Sequence, residues 1–152
     1  MFTPPTADAC TQGAQIDGGD GNWRLLFDPT TDECATWQVV LPTNYVSTPV
    51  LNVYYSMTSA TSLDVEFEAA IMCVSPDDAA DIGTASFSNV AVATETVPGT
   101  AGYMGHVAIT LTDDSCAAGD VAFVVLSTDA NDATNDDATG DREVLAVSLG
   151  YT

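Results

Sequence analysis

Hydrophobic and polar positions alternate through most of the chain. Over residues 50–57, Leu51, Val53, Tyr55 and Met57 point one way, and Asn52, Tyr54 and Ser56 the other. Residues 63–74 begin alike, with Leu63, Val65 and Phe67 against Asp64, Glu66 and Glu68. Trp37, Val39 and Leu41 share a face in residues 37–41, which stop at Pro42. Residues 106–112 set Val107, Ile109 and Leu111 against His106, Ala108, Thr110 and Thr112, and residues 143–151 carry Leu145, Val147, Leu149 and Tyr151 on one face. A period of two is that of a half-buried strand. Further β-prone runs lie at 23–27, 87–97 and 121–127, and turn residues separate them all. The pattern therefore predicts about eight strands and no long helix. Residues 75–81, with Asp77 and Asp78 near their start, read as one short helical turn.

Many short strands without helices must bury their apolar faces against one another. The expected fold is all-β: an antiparallel two-sheet β-sandwich, a jelly roll of about eight strands, with an immunoglobulin-like sandwich as the alternative. Residues 1–22, rich in Thr, Pro, Gly and Asp, read as an extended N-terminal arm, and residues 23–152 as a single jelly-roll domain. The run from Val121 to Leu126 departs from the alternation, being apolar on both faces. Either a loop or another subunit must cover its outer face. Ala122, Val124 and Leu126 are the candidate oligomer-interface residues.

Charge narrows the function. The chain has 152 residues and a formal net charge of −20, with Arg24 and Arg142 as its only strong cations and no Lys. Phosphate-rich partners would be repelled, which excludes most nucleic-acid roles and any anionic membrane surface. Such a surface keeps molecules dispersed and tolerates high salt. No basic, apolar leader opens the sequence, and the longest apolar run falls far short of the ~20 residues that cross a bilayer.

The candidate chemistry is sparse. Asp64, Glu66 and Glu68 stand about 6.5–7 Å apart along one strand face, near the separation of glycosidase carboxylates. In so acidic a chain they read first as a solvated face. The loop 129–141 is the densest acid cluster, and Asp129, Asn131, Asp132, Asp136 and Asp137 offer oxygen ligands for a structural calcium ion. The glycine and terminal glutamate of an EF-hand loop are replaced there by Thr134 and Gly140. The segment 17–22 has similar chemistry. His106, the single histidine, falls on a polar face. The chain has no Gly-x-Ser-x-Gly elbow, no phosphate loop and no His-Glu-x-x-His, so catalysis is not expected. Trp23 or Tyr54, if exposed, would suit stacking on a sugar ring. The four cysteines allow three pairings. Cys10 and Cys34 lie in turn-rich sequence and are the expected disulfide, whereas Cys73 closes an apolar run and reads as a buried thiol. Zinc is not expected, because the paired-ligand spacing is missing and the chain has one His.

Several stretches, taken in order, carry a resemblance. They are Trp37-Gln38-Val39-Val40-Leu41-Pro42, Val53-Tyr54-Tyr55-Ser56-Met57 and Asp64-Val65-Glu66-Phe67-Glu68, then the turn Ala118-Gly119-Asp120 leading into residues 121–129, and finally Gly140-Asp141-Arg142-Glu143. The order resembles jelly-roll virion structural proteins of tailed bacteriophages and related viruses, over residues 23–151. Ser127 and Thr128 stand where that family usually carries Arg. The resemblance implies a non-enzymatic capsid decoration or cement protein on the outer surface of the virion. It would be a homo-oligomer, commonly a trimer, with the major capsid protein as partner. A tail or receptor-binding appendage, or a carbohydrate-binding β-sandwich module, is the alternative.

Overall fold

The structure, a computed structural model, describes residues 12–18, 21–77, 82, 85–130 and 132–151. Ten strands run in chain order: β1 (Gln12–Gly13), β2 (Gln15–Asp17), β3 (Arg24–Phe27), β4 (Glu33–Val40), β5 (Val50–Met57), β6 (Asp64–Val74), β7 (Ala91–Thr96), β8 (Gly105–Thr110), β9 (Val121–Ser127) and β10 (Arg142–Gly150). They form two five-stranded sheets, ordered β1-β4-β9-β6-β7 and β2-β3-β10-β5-β8. Every pair is antiparallel except β1 with β4. Leaving out the two short N-terminal strands, β3-β10-β5-β8 faces β4-β9-β6-β7, which is the jelly-roll order. The eight strands expected from the sequence correspond one to one with β3–β10. No helix among the described residues is long and apolar enough to cross a membrane.

Residues 12–17 correct the reading of an arm that ends at residue 22. Gln12 and Gly13 pair with Glu33 and Cys34 at the edge of one sheet, and Gln15, Ile16 and Asp17 then pair with Leu26, Leu25 and Arg24 at the edge of the other. The chain thus crosses from sheet to sheet and closes part of one flank of the sandwich. Residues 1–11 lie outside the described residues, and so does most of the expected helical turn at 75–81.

The core fills the space between the sheets. Phe27, Leu51, Val53, Tyr55, Val65, Phe67, Ile71, Ile109 and Leu126 are all buried there. The Tyr55 and Phe67 rings meet edge to face with centroids 5.4 Å apart, an arrangement that suits the ring quadrupoles. Burial pushes the Tyr55 hydroxyl up to about 12. On β10 the pairing with β5 shifts between Val144 and Ala146. Such a bulge turns the following residues over. Val144 is buried in the core, and Val147 and Leu149 pack against it, so the expected unbroken face through Leu145 is corrected at that point.

Val121 to Leu126 is the second correction. The register sets Ala122, Val124 and Leu126 opposite Val39, Trp37 and Ala35, and all three point into the core with 0%, 3% and 0% exposure. They are unavailable to another subunit. The outward residues Phe123 and Val125, like Ala70 and Met72 beside them on β6, are also buried within the single chain. Phe123 and Val121 share a cavity of about 250 Å³ with Ile82 and Pro76 of the β6–β7 connection. A loop covering this face, one of the two solutions open to the sequence, is the one adopted.

Candidate functional site

The flank closed by β1 and β2 is open beyond them. There Trp23, Ile16, Arg24, Trp37, Ala146 and Val147 line a groove of about 360 Å³, within the size range of small-ligand sites. The Trp23 side chain is 74% exposed. Its ring lies over the backbone of Gly18, where an added Cβ would come within 2.6 Å of the indole. Only glycine allows that approach. Trp23 is therefore a flat aromatic surface seated on one side and open to solvent on the other.

Arg24 stands beside it under firm control. Its Nε and Nη2 donate to Asp17 Oδ2, each at 3.1 Å, and its Nε lies 3.3 Å from Glu143 Oε1. Glu143 Oε2 in turn accepts a 2.6 Å hydrogen bond from Ser56 Oγ. The row Asp17–Arg24–Glu143–Ser56 crosses β2, β3, β10 and β5 at neighbouring register positions. One guanidinium thus meets two carboxylates, which leaves the row polar without a local positive charge. Further along the same sheet, the Tyr54 and His106 rings lie 4.9 Å apart, and His106 Nε2 is 3.1 Å from Asn52 Oδ1. His106 is on the exposed face, where the alternation placed it.

The acidic strand face is less solvated than the sequence suggests. Glu66 is buried, and Asp64 and Glu68 are half-buried. Glu66 accepts from Thr94 Oγ1 at 3.2 Å, and Glu68 from Ser127 Oγ at 3.5 Å. The loop after β9 adds Asp129. The carboxylate oxygens of Glu66, Glu68 and Asp129 lie within 4.8 Å of one another, the one such trio among the described residues. Burial, with Asp129 and Glu66 as neighbours, holds the Glu68 carboxyl above its usual range, and burial does the same for Glu66.

The other acids of that loop do not join Asp129. Asn131 lies outside the described residues. Asp132 caps Thr134 and Asn135, bonds that hold its carboxyl below the usual range. Asp137 accepts the Asp64 amide at 2.9 Å. Asp136 accepts the Glu66 amide at 3.1 Å and pairs with the buried Arg142. Of the expected calcium set Asp129, Asn131, Asp132, Asp136 and Asp137, the described members Asp132, Asp136 and Asp137 are therefore engaged elsewhere and do not gather with Asp129. Sequence distance hid the trio, because Asp129 is about 60 positions from Glu66 and Glu68 and meets them only through the β6–β9 pairing, Glu68 opposite Ser127.

Cysteine chemistry also departs from expectation. Cys73 is not a free thiol but is joined to Cys116, which ties the end of β6 to the loop before β9. Cys34 is disulfide-bonded as well. Cys10, its expected partner, lies outside the described residues.

No family model matches this chain, and no curated protein matches it. Among solved structures, the chain is similar in fold to TmCBM61, determined in complex with β-1,4-galactotriose. The likeness has a TM-score of 0.43 and 10% identity, and it covers 92% of this chain and 83% of that one.

Proposed function

We propose that this protein is a non-catalytic β-sandwich that binds neutral carbohydrate in the Trp23 groove. One observation carries the reading: an indole exposed on one face and seated on Gly18 on the other, next to a fixed row of hydrogen-bonding groups. A pyranose has the matching duality, with an apolar C–H face for the indole and a rim of hydroxyls for Arg24 and Glu143. The net charge of −20 disfavours anionic sugars, and Arg24 already faces two carboxylates. No step of bond cleavage is assigned, because the acidic trio lies on β6 and the loop after β9, in the other sheet from the polar row. Calorimetric titration with a panel of neutral oligosaccharides, β-1,4-galactotriose among them, tests the reading. Binding by the native chain that Trp23→Ala weakens by about 1 kcal/mol or more supports it. No binding across the panel overturns it.

A second reading places the same module on the outer surface of a virion, as a decoration or cement protein contacting a major capsid protein. Its favouring observation is the uncharged stretch 35–40 of β4, where copies of an otherwise acidic molecule can approach each other. Gold-labelled antibody on purified particles decides it. Label spread over the head supports the role, and unlabelled particles exclude it.

A further inference from the structure

Residues 36–40 of β4 have β9 on one side and no strand on the other among the described residues. β1 meets β4 only at Glu33 and Cys34, the end away from Val40. Natural sheets protect such edges with charged side chains, proline, bulges or a covering element. Among the described residues, this edge has none of these. In a chain with 22 acidic residues, the stretch Ala35-Thr36-Trp37-Gln38-Val39-Val40 carries no charge, and Val39 and Val40 are 42% and 63% exposed. On the core side, Trp37 and Val39 open onto a second apolar cavity of about 270 Å³, which Val147 and Leu149 of β10 also line.

We propose that this edge is an interface for a second copy of the chain, with β4 pairing antiparallel to β4 about a two-fold axis at Gln38. The sequence is self-complementary in that register. Thr36 falls opposite Val40 of the second copy, Trp37 opposite its Val39, and Gln38 opposite its own equivalent. Aromatic with β-branched residues directly across a strand pair is a favourable combination. A two-fold contact uses one patch twice and closes, so the exposed edges of both copies are consumed in a single step. Charge limits where two copies can meet. Two molecules at −20 repel over most of their surfaces, and an uncharged strip is where they can touch. The pairing joins the two β1-β4-β9-β6-β7 sheets into one continuous sheet through the dimer.

Sedimentation equilibrium of the full chain in roughly 0.5 M salt, where screening shortens charge repulsion to a few ångströms, reads the outcome. The native chain is expected to form dimers. Gln38→Glu sets like charges face to face at the axis and weakens association by up to about fivefold. Gln38→Lys does the same alone, and an equimolar mixture of the two variants restores the dimer. Gln38 is exposed, and unchanged circular dichroism verifies that each variant folds. A native chain that stays monomeric overturns the proposal. So does a dimer or trimer as tight in Gln38→Glu as in the native chain, or a mixture that fails to re-associate. None of these results depends on whether the Trp23 groove binds sugar.

Discussion

The Arg142 guanidinium pairs with the Asp136 carboxylate where neither side chain has any solvent exposure. Arg142 opens β10 two residues after Gly140, whose φ is +98°, and Asp136 also accepts the Glu66 amide. The pair thereby fastens loop 128–141 to β6 and β10. Burial pushes the Asp136 carboxyl up against the opposing pull of Arg142. A buried pair of this kind adds little net stability over apolar packing, but removing one partner strands the other charge. Asp136→Ala is expected to cost about 3–5 kcal/mol in urea unfolding. The double variant Asp136→Leu with Arg142→Met is expected to recover most of that loss.

The acidic trio makes a second prediction, about pH. The folded-state carboxyls of Glu66 and Glu68 lie above their usual range. A raised carboxyl binds its proton more tightly in the folded chain than in the unfolded one. Its contribution is therefore complete below the ordinary value of 4.5 and is lost as pH rises through the raised value. Glu68→Gln keeps an acceptor for Ser127 and removes the charge. Its unfolding free energy should exceed that of the native chain at pH 7 by an amount under about 1 kcal/mol, since Glu68 is partly solvated. Near pH 4 the two should coincide. An equal gain at both pH values would show that charge is not the cause.

The strand pattern made the fold readable because alternation depends on local sequence alone. Val50–Met57 and Val121–Ser127 match their expected limits, and the remaining main strands are displaced at their ends. What escaped depended on contacts distant in sequence. Nothing in residues 12–17 announces that two short strands belong to different sheets, since their pairing is decided by Glu33 and Leu26. The doubly apolar Val121–Ser127 strand left a loop or a subunit to cover its outer face, and the chain covers it itself. Of the groove, Trp23 was visible as a sugar-stacking candidate. Its seat on Gly18 and the row through Arg24, Glu143 and Ser56 exist only once β2, β3, β10 and β5 lie side by side. The Gly-Asp-Arg entry to the last strand has a structural task here, as Arg142 holds the loop.

Gly18 offers a third prediction, which separates the shape of the groove from its composition. Gly18→Ala removes no groove side chain but drives a methyl group against the Trp23 ring. The indole must tilt, and its open face no longer lies along the groove. Oligosaccharide affinity should fall nearly as far as in Trp23→Ala, while the unfolding free energy changes by less than about 1 kcal/mol, because Trp23 is mostly exposed. Tryptophan fluorescence reports the tilt directly. Undiminished binding in Gly18→Ala would mean that the ring's seat is irrelevant to recognition.

The Cys73–Cys116 bridge spans a sequence separation of 43. It joins the end of β6, after the strand has left β7, to the loop that leads into β9. Nearby, the Cys73 amide donates to Asp114 and the Cys116 amide to Asp113, so the loop is held by the bridge and by its own acids. Closing a loop of that length in the unfolded chain removes entropy worth about 4 kcal/mol in the chain-entropy model. The paired variant Cys73→Ala with Cys116→Ala should therefore lose roughly 2–4 kcal/mol in urea unfolding, with little change in far-ultraviolet dichroism. The sheet should survive because Ala69, Ile71 and Phe67 hold β6 in the core without the bridge. A loss of the β signal at low temperature would mean instead that the bridge is required for the sandwich to form.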